Sequence, residues 1–421
     1  MYDIIIIGEK MKVLNFGSCN IDYVYQLDHI VVPGETQSST NMQLFAGGKG
    51  LNQSIAIARA GAKVYHAGAI GQDGNELLQL LKENNVDVTY LQTVNEKTGH
   101  AIIQVAKNGE NSIFIHAGAN ACITTEYIDL VLANFGKDDI LLLQNEISNV
   151  EYIVNKAFEK QMVIILNPSP INEKIAKIDL KKISYLIVNQ KEAQAITNHT
   201  EELSALEYFI TNYPNLKLIL TLGKTGSLYQ DNSQRIFQPS YKVDTVDTTA
   251  AGDTFTGYFV AGLIKGIALQ KNMNYSSCAS ALSVSKNGAA PSIPTINEVE
   301  KALNTLSLNQ ENIQDKQTKR SIETLIEQNL TNVTMGDIAK HLGYSLVYTG
   351  VLVKTLFGKT YKELLLDKRL EKAKQLLTNS KLSIGEIIKT IGYENEGYFR
   401  KKFTQKFGKK PLEYRKILGE L

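Results

Sequence analysis

The sequence predicts two kinds of folded unit in one chain. The first is α/β, a doubly wound parallel sheet with a small β lid; the second is all-α and holds two helix-turn-helix units. Three observations predict this. From about Met11 to Thr305, short apolar runs alternate with longer amphipathic stretches, the rhythm of parallel strands joined by crossover helices. Beyond residue 318 the pattern is helical throughout. That last part also repeats itself at a spacing of 49 to 50 residues, as duplicated supersecondary units do. The expected domains are residues 11–305, a polar linker over 306–317, and residues 318–421.

In chain order, Val13–Phe16 opens the sheet, and Asn20 and Asp22 follow as polar side chains at a strand end. Tyr23–Phe45 and Gly99–His116 alternate apolar and polar residues, with turns at Pro33-Gly34 and Asn108-Gly109. They read as antiparallel strands outside the main sheet, a lid or a dimer surface. Gly47, Gly48, Lys49 and Gly50 then open a helix carrying Asn52 and Ile55. Glycines at a helix start let backbone amides approach an oxygen-rich ligand, with the helix dipole aimed at it. Ile140–Leu143, Val163–Leu166, Leu186–Val188 and Leu218–Thr221 are further strands, and Asn189, Glu192, Thr221, Gly223 and Gly226 cluster after the last two. Gly223-Lys224-Thr225 is not a phosphate loop of the Walker type, because position 218 is leucine and Leu228-Tyr229 reads as a strand.

Small residues lead from Asp247 into Asp253, after which Phe255, Phe259, Leu263 and Ile264 have helical spacing. Asp253 is thus expected in the first turn of a helix, beside the amides of Ala251 and Gly252. Such amides can hold the charge of a transferring phosphoryl group, and the carboxylate can take a proton from an attacking hydroxyl. An acid there also serves as a helix cap.

Composition narrows the classes. Hydrophobic residues at 43% and charged residues at 21% exclude a mainly disordered chain. Cys19, Cys122 and Cys278 are too few and too scattered for a disulfide framework or a four-cysteine zinc site, and fit a reducing cytoplasm. No apolar run approaches a membrane span, and Met1–Lys10 is too short for a signal peptide; the natural beginning is expected at Met11. The net charge of +2 hides −6 over residues 1–307 and +8 over 308–421. A basic tail behind an acidic body points to a polyanion as the tail's partner.

In the tail, Thr334-Met-Gly-Asp337 recurs as Ser383-Ile-Gly-Glu386, each a hydroxyl and an acid placed to cap a helix. Gly343 and Gly392 then sit where a tight turn joins two helices, and the second helix of such a pair enters a DNA major groove. Tyr361–Thr378 reads as one connecting helix. Arg400, Lys401, Lys402, Lys406, Lys409, Lys410, Arg415 and Lys416 fall within 17 residues, suiting phosphate contacts.

Taken in order, Asn20-x-Asp22, Gly47-Gly-Lys-Gly50, Asn189-x-x-Glu192, Thr221-x-Gly223 and Ala250-Ala-Gly-Asp253 resemble the PfkB family of carbohydrate kinases, nearest to its ribokinase branch, over residues 12–300. The resemblance implies a ribokinase-like fold and transfer of phosphate from ATP to a pentose, ribose favoured. Asp253 would be the catalytic base, with Ala251 and Gly252 as the anion hole. Asn20, Asp22, Gly48, Lys49, Asn52 and Glu146 would hold the sugar. Asn189, Thr221, Gly223, Gly226, Gly252 and Ser277 would hold ATP, and Glu192 would organise Mg2+. Asp247, Thr249, Ser283, Lys286, Gly288 and Ser292 stand at the positions of a K+ site, with Lys286 where relatives often carry arginine. A homodimer through the lid strands is implied too.

Residues 318–418 resemble the AraC/XylS family of transcription regulators. Its geometry implies double-stranded DNA as partner, met by Leu346, Val347, Gly350 and Lys354 in the first unit and by Glu394, Asn395, Glu396, Arg400, Lys401 and Lys402 in the second. The alternative reading is a regulator that uses the kinase fold only to sense sugar.

Overall fold

A computed structural model describes residues 11–199, 202–308, 315–344, 346–393 and 395–419. Met1–Lys10 and Glu394 lie outside these. The described residues fall into two compact units, the first of residues 11–199 and 204–308, the second of residues 315–419 with Glu202 and Leu203.

In the first unit, seven parallel strands lie in the order Asp87–Thr93, Tyr65–Ile70, Val13–Phe16, Ile140–Gln144, Val163–Asn167, Tyr185–Asn189 and Lys217–Thr221. An antiparallel hairpin, Gly226–Gln230 and Arg235–Pro239, closes the edge beside Lys217–Thr221. Every residue of Val13–Phe16 and of Ile140–Gln144 is buried, as strands covered by helices on both faces must be. The strand order reverses at Val13–Phe16: the chain moves one way to Tyr65–Ile70 and the other way to Ile140–Gln144. A crevice opens at the carboxyl ends of strands at such a point.

The lid is a separate sheet in the order Asn41–Gly47, Asn20–Leu27, Gly99–Ala106, Asn111–His116. Its two hairpins are antiparallel as expected, but the central pair is parallel over eight residues, Asn20 opposite Gly99 to Leu27 opposite Ala106. The chain returns to the lid only after passing through the main sheet at Tyr65–Ile70 and Asp87–Thr93, so it re-enters from the same end. Asn20 and Asp22 therefore lie on a lid strand, not at the end of a main-sheet strand.

Two helices meet under the crevice, Lys49–Arg59 and Ala251–Ile264. Their contact depends on Gly257: a Cβ there would meet Ala56 Cβ at 2.3 Å and Gln53 O at 2.9 Å. The start of the expected linker is part of this unit. Leu306 and Leu308 pack against its core, and Ser307 O accepts from Lys242 N at 2.9 Å.

The second unit holds the helices Asp315–Gln328, Met335–Leu342, Leu346–Phe357, Tyr361–Asn379, Ile384–Thr390, Glu396–Phe407 and Pro411–Gly419. The first of them begins inside the segment expected as linker. Thr334 with Asp337, and Ser383 with Glu386, close reciprocal capping boxes. Gly343 and Gly392 turn left-handed at φ 71° and 78°, where a side chain would be strained. Two small cores result. Ile322, Ile326, Val333, Ile338, Val353 and Leu364 form one; Leu370, Ala373, Leu377, Ile387, Phe399 and Phe403 belong to the other. The Tyr361–Asn379 helix supplies both and so ties the two repeats together.

Candidate active site and helical interface

Asp253 lies in the first turn of Ala251–Ile264 and is 5% exposed. Its Oδ2 accepts from Asn52 Nδ2 at 3.1 Å and its Oδ1 from Gln53 Nε2 at 2.9 Å. The Ala251 amide donates to Thr248 O at 3.2 Å, whereas the next amides of a first turn lack an intrahelical acceptor. A Cβ at Gly252 would meet no atom within 4 Å, so the space beside its Cα is open. Asn52 Oδ1, though buried, has no hydrogen-bond partner among the described residues. An acceptor left bare beside a carboxylate suits a ligand hydroxyl.

The lid brings the other polar groups to the same place. Asp22 lies over Gly47, where a Cβ would fall 2.1 Å from its Oδ2. Asn20 Oδ1 accepts from Asn120 Nδ2 at 2.8 Å. Glu146 Oε2 accepts from the Lys49 amide at 3.0 Å and from the Ser18 hydroxyl, and so ties the glycine-rich turn to the end of Ile140–Gln144. Gly48 bends that turn at φ 95°. Asp22, Glu146 and Asp253 lie close enough for their charges to act on one another, and Lys49 on the last two. Burial, with Glu146 and Asp253 adding to it, pushes the Asp22 carboxyl up to about 7. Burial raises Glu146 against the pull of Lys49. Asp253, with Glu146 and Glu192 behind it, raises the Lys49 ammonium against burial.

A second group of expected residues lies at neighbouring strand ends, Asn189 directly opposite Thr221. Asn189 caps the Gln190–Thr197 helix, and Glu192 Oε2 accepts from the Asn189 amide at 2.9 Å. Gly223 and Gly226 both have positive φ, and at Gly226 a Cβ would strike Gln238 O at 2.1 Å. Ser277 is buried, and its hydroxyl donates to Pro239 O at 3.1 Å.

Asp247 gathers part of the expected cation site. Its Oδ1 accepts from Thr249 N at 2.9 Å and from the Thr249 hydroxyl, its Oδ2 from Gly288 N at 3.0 Å. Burial opposes its charge, but these bonds hold the carboxyl below its ordinary value. Ser283 and Ser292 donate to Ser280 O and Ala289 O, and Lys286 pairs with Glu298 at 2.9 Å. The donor set is carbonyl and hydroxyl oxygen around one carboxylate, which suits a hard, weakly bound cation. No group of three or more His, Cys, Asp or Glu placed to hold a metal ion occurs among the described residues.

Sequence reasoning missed Gln53, Ser18 and Asn120. Asn120 accepts from Cys19 N and donates to Cys19 O and Asn20. The only signal for it was a polar residue within a run of small ones.

In the helical unit, Val347 is fully buried and faces the core, not a DNA groove. The Leu346–Phe357 helix is apolar on nearly every side, so spacing alone could not tell its inner face from its outer one. Leu346 and Gly350 are half-buried and Lys354 is exposed. On Glu396–Phe407, Asn395 caps the helix through Tyr398 N at 2.9 Å, and Glu396 pairs with Arg400. Lys401 is exposed; the Lys402 ammonium lies 5.7 Å from the Tyr398 ring centroid.

Comparison with known proteins places these features. The family model for pfkB family carbohydrate kinases matches residues 10–296, and one for a helix-turn-helix domain matches 320–417. Ribokinase of Bacillus subtilis is 37% identical over 292 residues, 68% of this chain and 97% of that protein. Among solved structures, ribokinase from Cryptococcus neoformans in complex with ADP is 38% identical with a TM-score of 0.62, covering 69% of this chain and 99% of that one. Arabidopsis thaliana ribokinase complexed with ribose and ATP is 27% identical with a TM-score of 0.61, covering 70% and 99%.

Proposed function

The chain belongs to the PfkB family of carbohydrate kinases, and we propose that it transfers the γ-phosphoryl group of ATP to the primary hydroxyl of a pentose, ribose in first place. We propose further that its AraC-type helix-turn-helix unit binds double-stranded DNA. The similarity to ribokinases supports ribose. One observation carries the chemistry: a buried carboxylate, Asp253, held by Asn52 and Gln53 at the first turn of a helix with open space beside the Gly252 Cα.

In this reading the sugar lies among Asn20, Asp22, Gly48, Lys49, Asn52 and Glu146. Carboxylates and carboxamides accept and donate to its hydroxyls and fix the reacting one beside Asp253. Asp253 takes that hydroxyl's proton as the oxygen attacks phosphorus. The Gly252 and Ala251 amides hold the charge that grows on the phosphoryl oxygens, the Ala251 N–H exchanging Thr248 O for the ligand. Lys49 offsets the carboxylates around the sugar. Asn189, Thr221, Gly223, Gly226 and Ser277 flank the nucleotide. Glu192 would organise Mg2+, and the loops drawn together by Asp247, Thr249 and Gly288 would hold K+ with carbonyls near Ser283, Lys286 and Ser292. When bound, the metal ions supply positive charge to the phosphates.

The exposed apolar lid residues Met42, Leu44, Ile113, Phe114 and Ile115 support a homodimer through the lid. Free cysteines at 19, 122 and 278 fit the cytoplasm. No helix among the described residues is long and apolar enough to cross a membrane.

The test is Asp253→Ala. Loss of a general base costs about 10²–10⁴-fold in rate, so sugar-dependent ATP turnover should all but vanish while calorimetry still detects sugar binding. Undiminished turnover would leave a sugar-sensing regulator as the better reading.

A further inference from the structure

We propose that Gln53 is a positioning residue for phosphoryl transfer: its side-chain amide, locked from behind by a buried chain of amides, fixes the rotation of the Asp253 carboxylate and presents it with a donor. The proposal rests on the assignment of Asp253 as the base.

Gln53 is fully buried on the Lys49–Arg59 helix. Its Nε2 donates to Asp253 Oδ1 at 2.9 Å and to Asn167 Oδ1 at 3.0 Å; its Oε1 accepts from Gln144 Nε2 at 2.7 Å. Neither orientation of this amide is free. Asn167 Nδ2 donates to Ile187 O at 2.9 Å, which turns Asn167 Oδ1 toward Gln53. Asn15 Nδ2 donates to Gly50 O at 2.7 Å and to Ser54 Oγ at 2.8 Å. Asn15 Oδ1 therefore faces Gln144, which donates to it at 2.9 Å. Two backbone carbonyls, Gly50 O and Ile187 O, thus set the polarity of four side-chain amides. The polarity that arrives at Asp253 is a donor, and flipping Gln53 would set its oxygen against the carboxylate.

Asn52 holds the other carboxylate oxygen, but its role differs. Its own Oδ1 is without a partner, so a sugar hydroxyl arriving there competes for the whole side chain. Gln53 has no such freedom and holds Asp253 in both the empty and the filled site. The charged groups facing Asp253 are Lys49 from the same helix as Gln53, Asp22 from the lid and Glu146 from beyond Ile140–Gln144. None of them takes part in the chain of amides.

The test compares the full chain with Gln53→Met, which keeps the side chain's length and removes its donor. A carboxylate that loses a donor holds its proton more tightly, so the acid limb of the kcat–pH profile is expected to move to higher pH. On that limb kcat falls about tenfold, and at higher pH the variant approaches wild type. Sugar KM stays within about threefold, because the sugar's own ligands are unchanged. Gln53→Glu is the second variant and decides alone if Gln53→Met does not fold. It keeps the acceptor for Gln144 but sets a second carboxylate against Asp253, and the limb again moves up. A variant that folds and loses kcat equally at every pH, or keeps the wild-type profile, overturns the proposal. Asp253→Ala separates the two ideas. If it stays active, the base and the role of Gln53 fall together; if it is inactive while the limb of the Gln53 variants is unmoved, only the role of Gln53 falls.

Discussion

Asp22 lies near Glu146 and Asp253, and burial with those two charges pushes its carboxyl up to about 7. Below that pH it is neutral and accepts fewer hydrogen bonds from sugar hydroxyls. Sugar KM is therefore expected to rise about tenfold from pH 8 to pH 6, as for one group that must be ionised to bind. Asp22→Asn should bind sugar more weakly at pH 8 and show a flatter KM profile; a steep profile in that variant would move the titration to another group. The sign for folding is the reverse of the usual acid. A carboxyl raised above its unfolded value gives stability at low pH that is lost as pH rises through about 7, so bound sugar should protect the unit most above neutrality. Asp22, Asn52 and Asp253 were legible in the sequence because each sits at a glycine-marked turn or strand end. Gln53 was not. A glutamine among the polar residues at the start of a helix reads the same whether it satisfies itself or holds a neighbour, and only the partners at 2.7–3.0 Å distinguish the two.

Elements meet here through glycines that do opposite things. Gly257 lets Ala251–Ile264 lie directly on Lys49–Arg59, one turn from Asp253, and a Cβ would meet Ala56 Cβ at 2.3 Å and Ile57 N at 3.0 Å. Gly257→Ala should therefore force the helices apart, at about 1–3 kcal/mol, and carry Asp253 away from Asn52 and Gln53. A lower melting temperature and a kcat loss of an order of magnitude or more are expected, since a misplacement of ~1 Å can cost 10²-fold. A Cβ at Gly350, within the Leu346–Phe357 helix, would meet only Met335 Cε, at 3.7 Å, among the described residues. Gly350→Ala should raise the stability of the helical unit by up to about 1 kcal/mol, read as a later unfolding transition in calorimetry. Strands and helices were legible from the alternation of apolar runs and caps. The parallel pairing at the centre of the lid was not, because local alternation records which residues share a face and not the direction from which a distant strand arrives.

At the scale of the whole molecule, the change from −6 to +8 along the chain separates an acidic part from a basic one, the charge that the proposed DNA partner asks of the second. That charge count overstates how many cations are at hand. Arg400 is paired with Glu396, Lys406 with Asp367 and Glu371, and Arg415 donates to Leu382 O. Lys354, Lys401, Lys409 and Lys410 are exposed and outside every ion pair among the described residues. Affinity for duplex DNA falls with salt at a log–log slope of about −0.9 per phosphate neutralised. Four lysines thus give a slope of about −3.6, a loss of about two orders of magnitude between 50 and 200 mM salt. The full set of eight basic residues within Arg400–Lys416 would give about twice that slope. Titrating the full chain against a labelled duplex over that range separates the two counts. A steep slope would mean that the internal ion pairs open on binding, and a flat one that the helical unit meets some partner other than a phosphate backbone. Replacing Lys401 and Lys409 by alanine should flatten the slope by about two while leaving sugar phosphorylation unchanged, because neither residue belongs to the kinase unit.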